Sequence, residues 1–177
     1  GDPEPVGAAI PGHRVELQLL TTLSCNLKCT YCSLGVGEVL GSQKHVDYTL
    51  DQLARFIDSQ LAGYETYVTF YGGEPTLNTA YMQAVIARFP NFRYQLQTNG
   101  TLLDSLPDAL LARMSNYLIS IDGGERTTDS YRGRGIYRQV MKNLAAIRPR
   151  IAGSVTARVT WSHPEICFEE LDHLTEV

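Results

Sequence analysis

The chain has 177 residues, 44% of them hydrophobic and 19% charged, with a formal net charge of −4. That length suits one domain able to bury a core, and the balance excludes a disordered chain. The acidic balance gives no footprint for nucleic acid, and no apolar run approaches the roughly 20 residues that cross a bilayer, so neither nucleic acid nor a membrane is an expected partner.

Residues 1–14 form an N-terminal extension whose acidic, proline-rich start is not a secretory signal, and residues 15–177 form the core domain. Residues 15–21 (VELQLLT) make a first strand. It feeds a loop carrying Cys25, Cys29 and Cys32, three of the four cysteines, at the spacing C-x3-C-x2-C. Clustered thiols of this kind point to a metal site in a reducing compartment, with the cytoplasm as the expected location. A glycine-containing connector, residues 35–41, follows.

Thr49, with Gln52 three residues on, has the form of a capping box, and apolar residues at helical spacing run from Leu50 to Leu61 before Gly63. Residues 66–71 (TYVTFY) make a second strand, running into Gly72-Gly73-Glu74-Pro75. A helix capped near Asn78 ends at Pro90, and residues 92–97 form a third strand closing on Thr98-Asn99-Gly100. Pro107 opens the next helix, with Leu110, Leu111 and Met114 as its inner stripe. A fourth strand, 117–121, ends in Ser120-Ile121-Asp122-Gly123-Gly124. A helix over 137–148, a fifth strand over 154–161 and a further amphipathic helix from 165 complete the chain.

Strands alternating with helices call for βαβ units and a parallel sheet. Five strands in 177 residues make a partial (β/α) barrel, short of the roughly 250 residues of a closed one. In such folds the chemistry lies at the carboxyl ends of the strands. There the cysteine loop, Gly-Gly-Glu-Pro, Thr-Asn-Gly and Ser-Ile-Asp-Gly-Gly punctuate four successive units, placing Glu74, Asn99, Ser120 and Asp122 on one rim.

Three thiolates can ligate three irons of a cubane and leave the fourth open. Two readings from other classes stand beside this one. A zinc-stabilised binding module would take Cys167 or His45 as fourth ligand, and an iron–sulfur electron carrier would use all four cluster positions. Tyr31 could pack on its own loop, Asp122 could cap the turn that follows it, and Arg158 could form an internal ion pair with Glu74 or Asp122. The histidines His13, His45, His163 and His173 share no spacing.

The cysteine spacing, with Tyr31 just before the third cysteine, together with Gly72-Gly73-Glu74-Pro75 after the second strand, resembles the radical SAM superfamily over nearly the whole chain. The resemblance implies a 4Fe–4S cluster on Cys25, Cys29 and Cys32, with S-adenosylmethionine chelating the open iron. It further implies Gly72, Gly73 and Glu74 at the cofactor's amino group, Tyr31 near adenine and Ser120 at the ribose. Asn99 and Asp122 share that rim, and Arg132 or Arg158 is a partner for the carboxylate. An electron supplied by a flavodoxin or ferredoxin type of donor would then release a 5′-deoxyadenosyl radical. Ser120-Ile121-Asp122-Gly123 and Asp129-Ser130-Tyr131-Arg132 are similar to elements of sulfatase-maturase and related peptide-modifying members, which implies a peptide or protein substrate. Glycyl-radical activating and RNA- or small-molecule-modifying members are the alternatives. Beyond the core only Cys167 is left for auxiliary clusters, and the chain stops before a sixth strand, so an incomplete core is expected.

Overall fold

The computed structural model describes residues 12–32, 46–161, 172 and 174. Most of the N-terminal extension, the 35–41 connector, His45, His163, Cys167, His173 and all but two residues of the last predicted helix lie outside them.

Five parallel strands form one sheet in the order β1-β2-β3-β4-β5. They are β1 (Arg14–Thr22), β2 (Glu65–Gly72), β3 (Arg93–Thr98), β4 (Met114–Ser120) and β5 (Ser154–Arg158). The helices between them are α1 (Leu50–Gln60), α2 (Thr79–Arg88), α3 (Asp108–Leu111), α4 (Glu125–Arg132) and α5 (Ile136–Ile147). This is the expected partial barrel.

Local signals set the helix starts. Thr49 caps α1 through the expected reciprocal pair, its side chain accepting from the Gln52 N–H while the Gln52 amide accepts from the Thr49 N–H. Asn78 caps α2 by accepting from the Tyr81 N–H. Met114, expected on a helix stripe, instead opens β4, because α3 is a single turn that Ala112 closes onto Asp108. Helix α4 is polar and buries only Thr128 and Arg132, so apolar periodicity does not reveal it.

The two faces of the sheet differ. Leu19, Val68, Phe70, Tyr94, Leu96, Tyr117 and Ile119 pack under Leu53, Ile57, Met82, Val85, Val140, Leu144 and Ile147 from the helices. Full burial of each such side chain contributes about 1.5–3 kcal/mol. Phe70 stacks on Tyr94 with ring centroids 5.4 Å apart. Burial pushes the Tyr94 hydroxyl up to about 12, keeping it a neutral donor to the Phe89 carbonyl at 2.7 Å. Alternate positions on the other face are polar and bonded across strands. Thr69 donates to Glu16 at 2.9 Å, and Thr156 donates to Asn116 at 3.1 Å. Among the described residues β5 is the last strand of the sheet, with Ser154, Thr156, Ala157 and Arg158 exposed. No helix among the described residues is long and apolar enough to cross a membrane.

Candidate functional site

The carboxyl ends of the first four strands open on one cleft of about 250 Å³. Cys25, Cys29, Tyr31 and Cys32 line it from the loop after β1. Gly72 and Gly73 face them from β2, Thr98 and Asn99 from β3, Ser120 from β4 and Arg132 from the end of α4. Four segments far apart in sequence thus meet as the strand-end rule predicts.

The three thiols are free and half-buried. Burial pushes Cys25 and Cys29 above the ordinary thiol value, and the Arg132 charge opposes it at Cys29. Among the described residues, no three His, Cys, Asp or Glu side chains converge on a point that one metal ion could occupy. Three thiols bordering one space can supply the three cysteine ligands of a multi-iron cluster.

Gly72 and Gly73 seal the second strand against the root of that loop. A Cβ on Gly72 would lie 2.3 Å from the Thr22 carbonyl oxygen, and one on Gly73 2.2 Å from that of Ser24. Gly72 also has φ +151. The space is taken up by backbone hydrogen bonds, Gly73 N–H to Thr22 at 3.0 Å and Glu74 N–H to Ser24 at 2.8 Å. The glycines are therefore required by the cysteine loop itself, besides bordering the cleft.

Glu74 is fully buried, and its carboxylate already takes four hydrogen bonds. Oε1 accepts from the Thr76 N–H at 3.1 Å and from the hydroxyls of Thr76 and Thr98, both at 2.7 Å; Oε2 accepts from the Asn99 N–H at 2.7 Å. Burial pushes its carboxyl above the ordinary range, against the pull of these donors. Glu74 thus ties β2 to β3. In Glu74→Gln one carboxylate oxygen becomes an NH2 that meets donors, so urea denaturation is expected to show a loss of about 3 kcal/mol; a loss below about 1 kcal/mol would refute this bracing role.

Asp122 and Arg132 form a buried pair, with side chains 0% and 6% exposed. Arg132 donates twice, Nε to Oδ2 at 2.7 Å and Nη2 to Oδ1 at 3.1 Å. Tyr31 donates to Oδ2 at 2.5 Å and the Thr160 N–H to Oδ1 at 3.0 Å. The alternative in which Arg158 pairs internally with Asp122 is corrected here: Arg132 holds that carboxylate, while Arg158 lies exposed on β5 opposite Ser120, outside the cleft lining. Burial disfavours the Arg132 charge, but Asp122 outweighs it and raises the guanidinium value. The guanidinium lies 5.5 Å over the Tyr31 ring, and Tyr31 packs on Tyr131 with centroids 5.5 Å apart. Burial and the Asp122 bond together push the Tyr31 hydroxyl well up. Tyr31 therefore packs on α4, through Tyr131 and Arg132, and joins an ion pair, while Asp122 is fully engaged by protein donors.

Several members of the site had no expected role: Asn26, Thr98, Thr101 and the backbone of Thr160. Asn26 and Asn99 were visible as amides beside Cys25 and at a strand end, but their meeting spans 73 residues. Tyr117 is fully buried and donates to the Leu111 carbonyl at 2.6 Å.

A family model described as the radical SAM superfamily matches residues 19–175. A GTP 3′,8-cyclase from Synechococcus elongatus is 28% identical over 159 residues, covering 85% of this chain and 48% of its own. A probable GTP 3′,8-cyclase from Methanocella arvoryzae is 33% identical over 141 residues, covering 76% and 44%. An uncharacterised protein from Archaeoglobus fulgidus is 30% identical, covering 75% and 33%. Among solved structures, native anSMEcpe with bound AdoMet superposes with a TM-score of 0.69 at 21% identity, over 90% of this chain and 48% of that one. The chain thus spans less than half the length of these relatives.

Proposed function

The chain belongs to the radical SAM superfamily, and from the site it builds we propose that it is an enzyme holding a 4Fe–4S cluster on Cys25, Cys29 and Cys32, with S-adenosylmethionine on the open iron. The observation that carries this is the meeting of three free thiols with Gly72, Gly73 and Ser120 around one cleft. When bound, the cluster and cofactor supply a 5′-deoxyadenosyl radical that takes a hydrogen atom from substrate, after an electron arrives from a flavodoxin or ferredoxin type of donor. The protein's part is placement. The carbonyls of Gly72 and Gly73 accept from the cofactor's amino group, and Ser120 bonds its ribose. Tyr31 borders the adenine. Arg132, already anchored on Asp122, has guanidinium protons left for the cofactor carboxylate. Arg158 faces the same side of the sheet as Ser120 and is a second cation for it.

The substrate we infer is a peptide or protein side chain. The solved neighbour is a radical SAM sulfatase maturase, also known with bound AdoMet and a Cp18Cys peptide. The curated relatives named GTP 3′,8-cyclase favour a second reading. A triphosphate calls for several cations, however, and among the described residues lining the cleft Arg132 is the single cation. Gln97 lines it with an amide, which matches peptide groups. The test is anaerobic reconstitution with iron and sulfide, then EPR with and without S-adenosylmethionine. Assays of 5′-deoxyadenosine under dithionite follow, with GTP or with pooled short cysteine- and serine-containing peptides. We expect an EPR signal altered by S-adenosylmethionine and turnover stimulated by peptides. An indifferent EPR signal overturns the enzyme reading, and stimulation by GTP alone overturns the peptide reading.

A further inference from the structure

Asn99 occupies a more constrained place than a rim residue needs. Its backbone N–H is fixed on Glu74, and the turn that carries it is held from α5, where Asn143 donates to the Gly100 and Thr101 carbonyls at 3.0 and 2.9 Å. Its side chain belongs to a closed ring of hydrogen bonds. Asn99 Nδ2 donates to Asn26 Oδ1 at 2.8 Å, Asn26 Nδ2 to Thr101 Oγ1 at 2.8 Å, and Thr101 Oγ1 to Asn99 Oδ1 at 2.7 Å. The Thr101 N–H also donates to Asn99 Oδ1, at 3.0 Å. Two donors on Oδ1 fix which end of the amide is nitrogen. The second proton of Nδ2 therefore lies on the Cys25 sulfur, 3.8 Å away, where the Leu27 N–H also donates at 3.4 Å.

We propose that Asn99 is a positioning residue for the iron–sulfur centre, whose fixed side-chain N–H on Cys25 raises the reduction potential of the cluster that this cysteine ligates. The inference rests on the radical SAM reading above. A hydrogen bond to a ligating sulfur draws density from it and favours the more electron-rich, reduced cluster. Asn99 is 6% exposed, which shields the bond from water and lets it act at full strength. The same residue joins the third strand's end to the first strand's loop, so the electronic effect and the placement of Cys25 come from one side chain.

The test is a mediated potentiometric titration of the reconstituted 177-residue chain, followed by EPR, on wild type and on Asn99→Ala, Asn99→Asp and Asn26→Ala. Both Asn99 variants should keep wild-type iron content and titrate at a more negative potential, Asp further than Ala because it adds negative charge beside the sulfur. Asn26→Ala opens the ring but leaves the N–H on Cys25, and should keep the wild-type potential. Unshifted Asn99 variants, or an equal shift in Asn26→Ala, overturn the proposal. A second measurement does not depend on the Asn99 variants taking up iron: pulsed EPR of the reduced Asn26→Ala cluster in protein labelled with nitrogen-15 asparagine. A weak nitrogen-15 coupling supports the Asn99 bond, and its absence overturns it. A wild-type chain with no reducible cluster sinks the radical SAM reading itself, whereas a reducible cluster indifferent to Asn99 sinks this inference alone.

Discussion

Cys29→Ala protein, reconstituted anaerobically with iron and sulfide, is expected to stay colourless and to yield no 5′-deoxyadenosine with dithionite and S-adenosylmethionine. Three cysteines are the minimum for a cubane with one open iron, and two cannot replace them. The loss is one of ligation and not of folding. Cys29 is half-buried, contributes nothing to the apolar core, and its loop is tied down independently by the Thr30 N–H on the Tyr131 carbonyl at 2.9 Å. The apoprotein should therefore unfold at the wild-type urea concentration. Product above the blank would rule out the cysteine assignment, and a large fall in stability would show that the loop does structural work beyond holding the cluster.

Arg132→Met has the largest effect expected on stability. Removing one partner of a buried pair leaves the other charge stranded, at a cost of about 3–5 kcal/mol. Here the stranded group is Asp122, fully buried and left with the Tyr31 hydroxyl and the Thr160 N–H. Asp122 joins the end of β4 to α4, to the cysteine loop and to the segment after β5, so the loss should be felt by all of them. The double variant Arg132→Met/Asp122→Leu should recover much of it, because no unpaired charge remains. Urea denaturation of the two variants measures the difference. A loss below about 1 kcal/mol for Arg132→Met, or no recovery in the double variant, would show that the pair is not the clamp its geometry describes.

The parts of the fold visible in the sequence were those with a periodic or local cause. The strands alternate or run apolar, Thr49 and Asn78 announce helix starts by their own side chains, and the polar punctuations come at strand ends. The rest depended on encounters that only the folded sheet creates. Helix α4 buries a charged residue rather than an apolar stripe, so no hydrophobic period marks it. That Arg132, and not Arg158, holds Asp122 depends on which side of the rim each occupies, and spacing does not contain that. The glycines at 72 and 73 could be read as room for a ligand, but the nearest atoms to their missing side chains are the backbone of residues 22–24. Glu74 looked like a free acceptor until the hydroxyls of Thr76 and Thr98 closed on it.

The sheet's spatial order is its chain order, each strand lying beside the one made just before it. Such a sheet can grow by successive addition as the chain leaves the ribosome, with every new strand finding its template already in place. No strand must wait for, or be threaded between, two earlier ones, which keeps the loop-closure cost of each step to a single connection. The longest of these connections is the first, from Thr22 to Glu65, and it carries the cysteines. The ligand loop is therefore synthesised before Asn99, Ser120 and Arg132, which arrive in later steps. Cluster insertion before the fourth strand and its helix have joined would meet thiols without their surroundings. The order of synthesis thus separates a stage of bare ligands from a stage of finished site, and iron delivery timed to the second would meet the protein in its protective form.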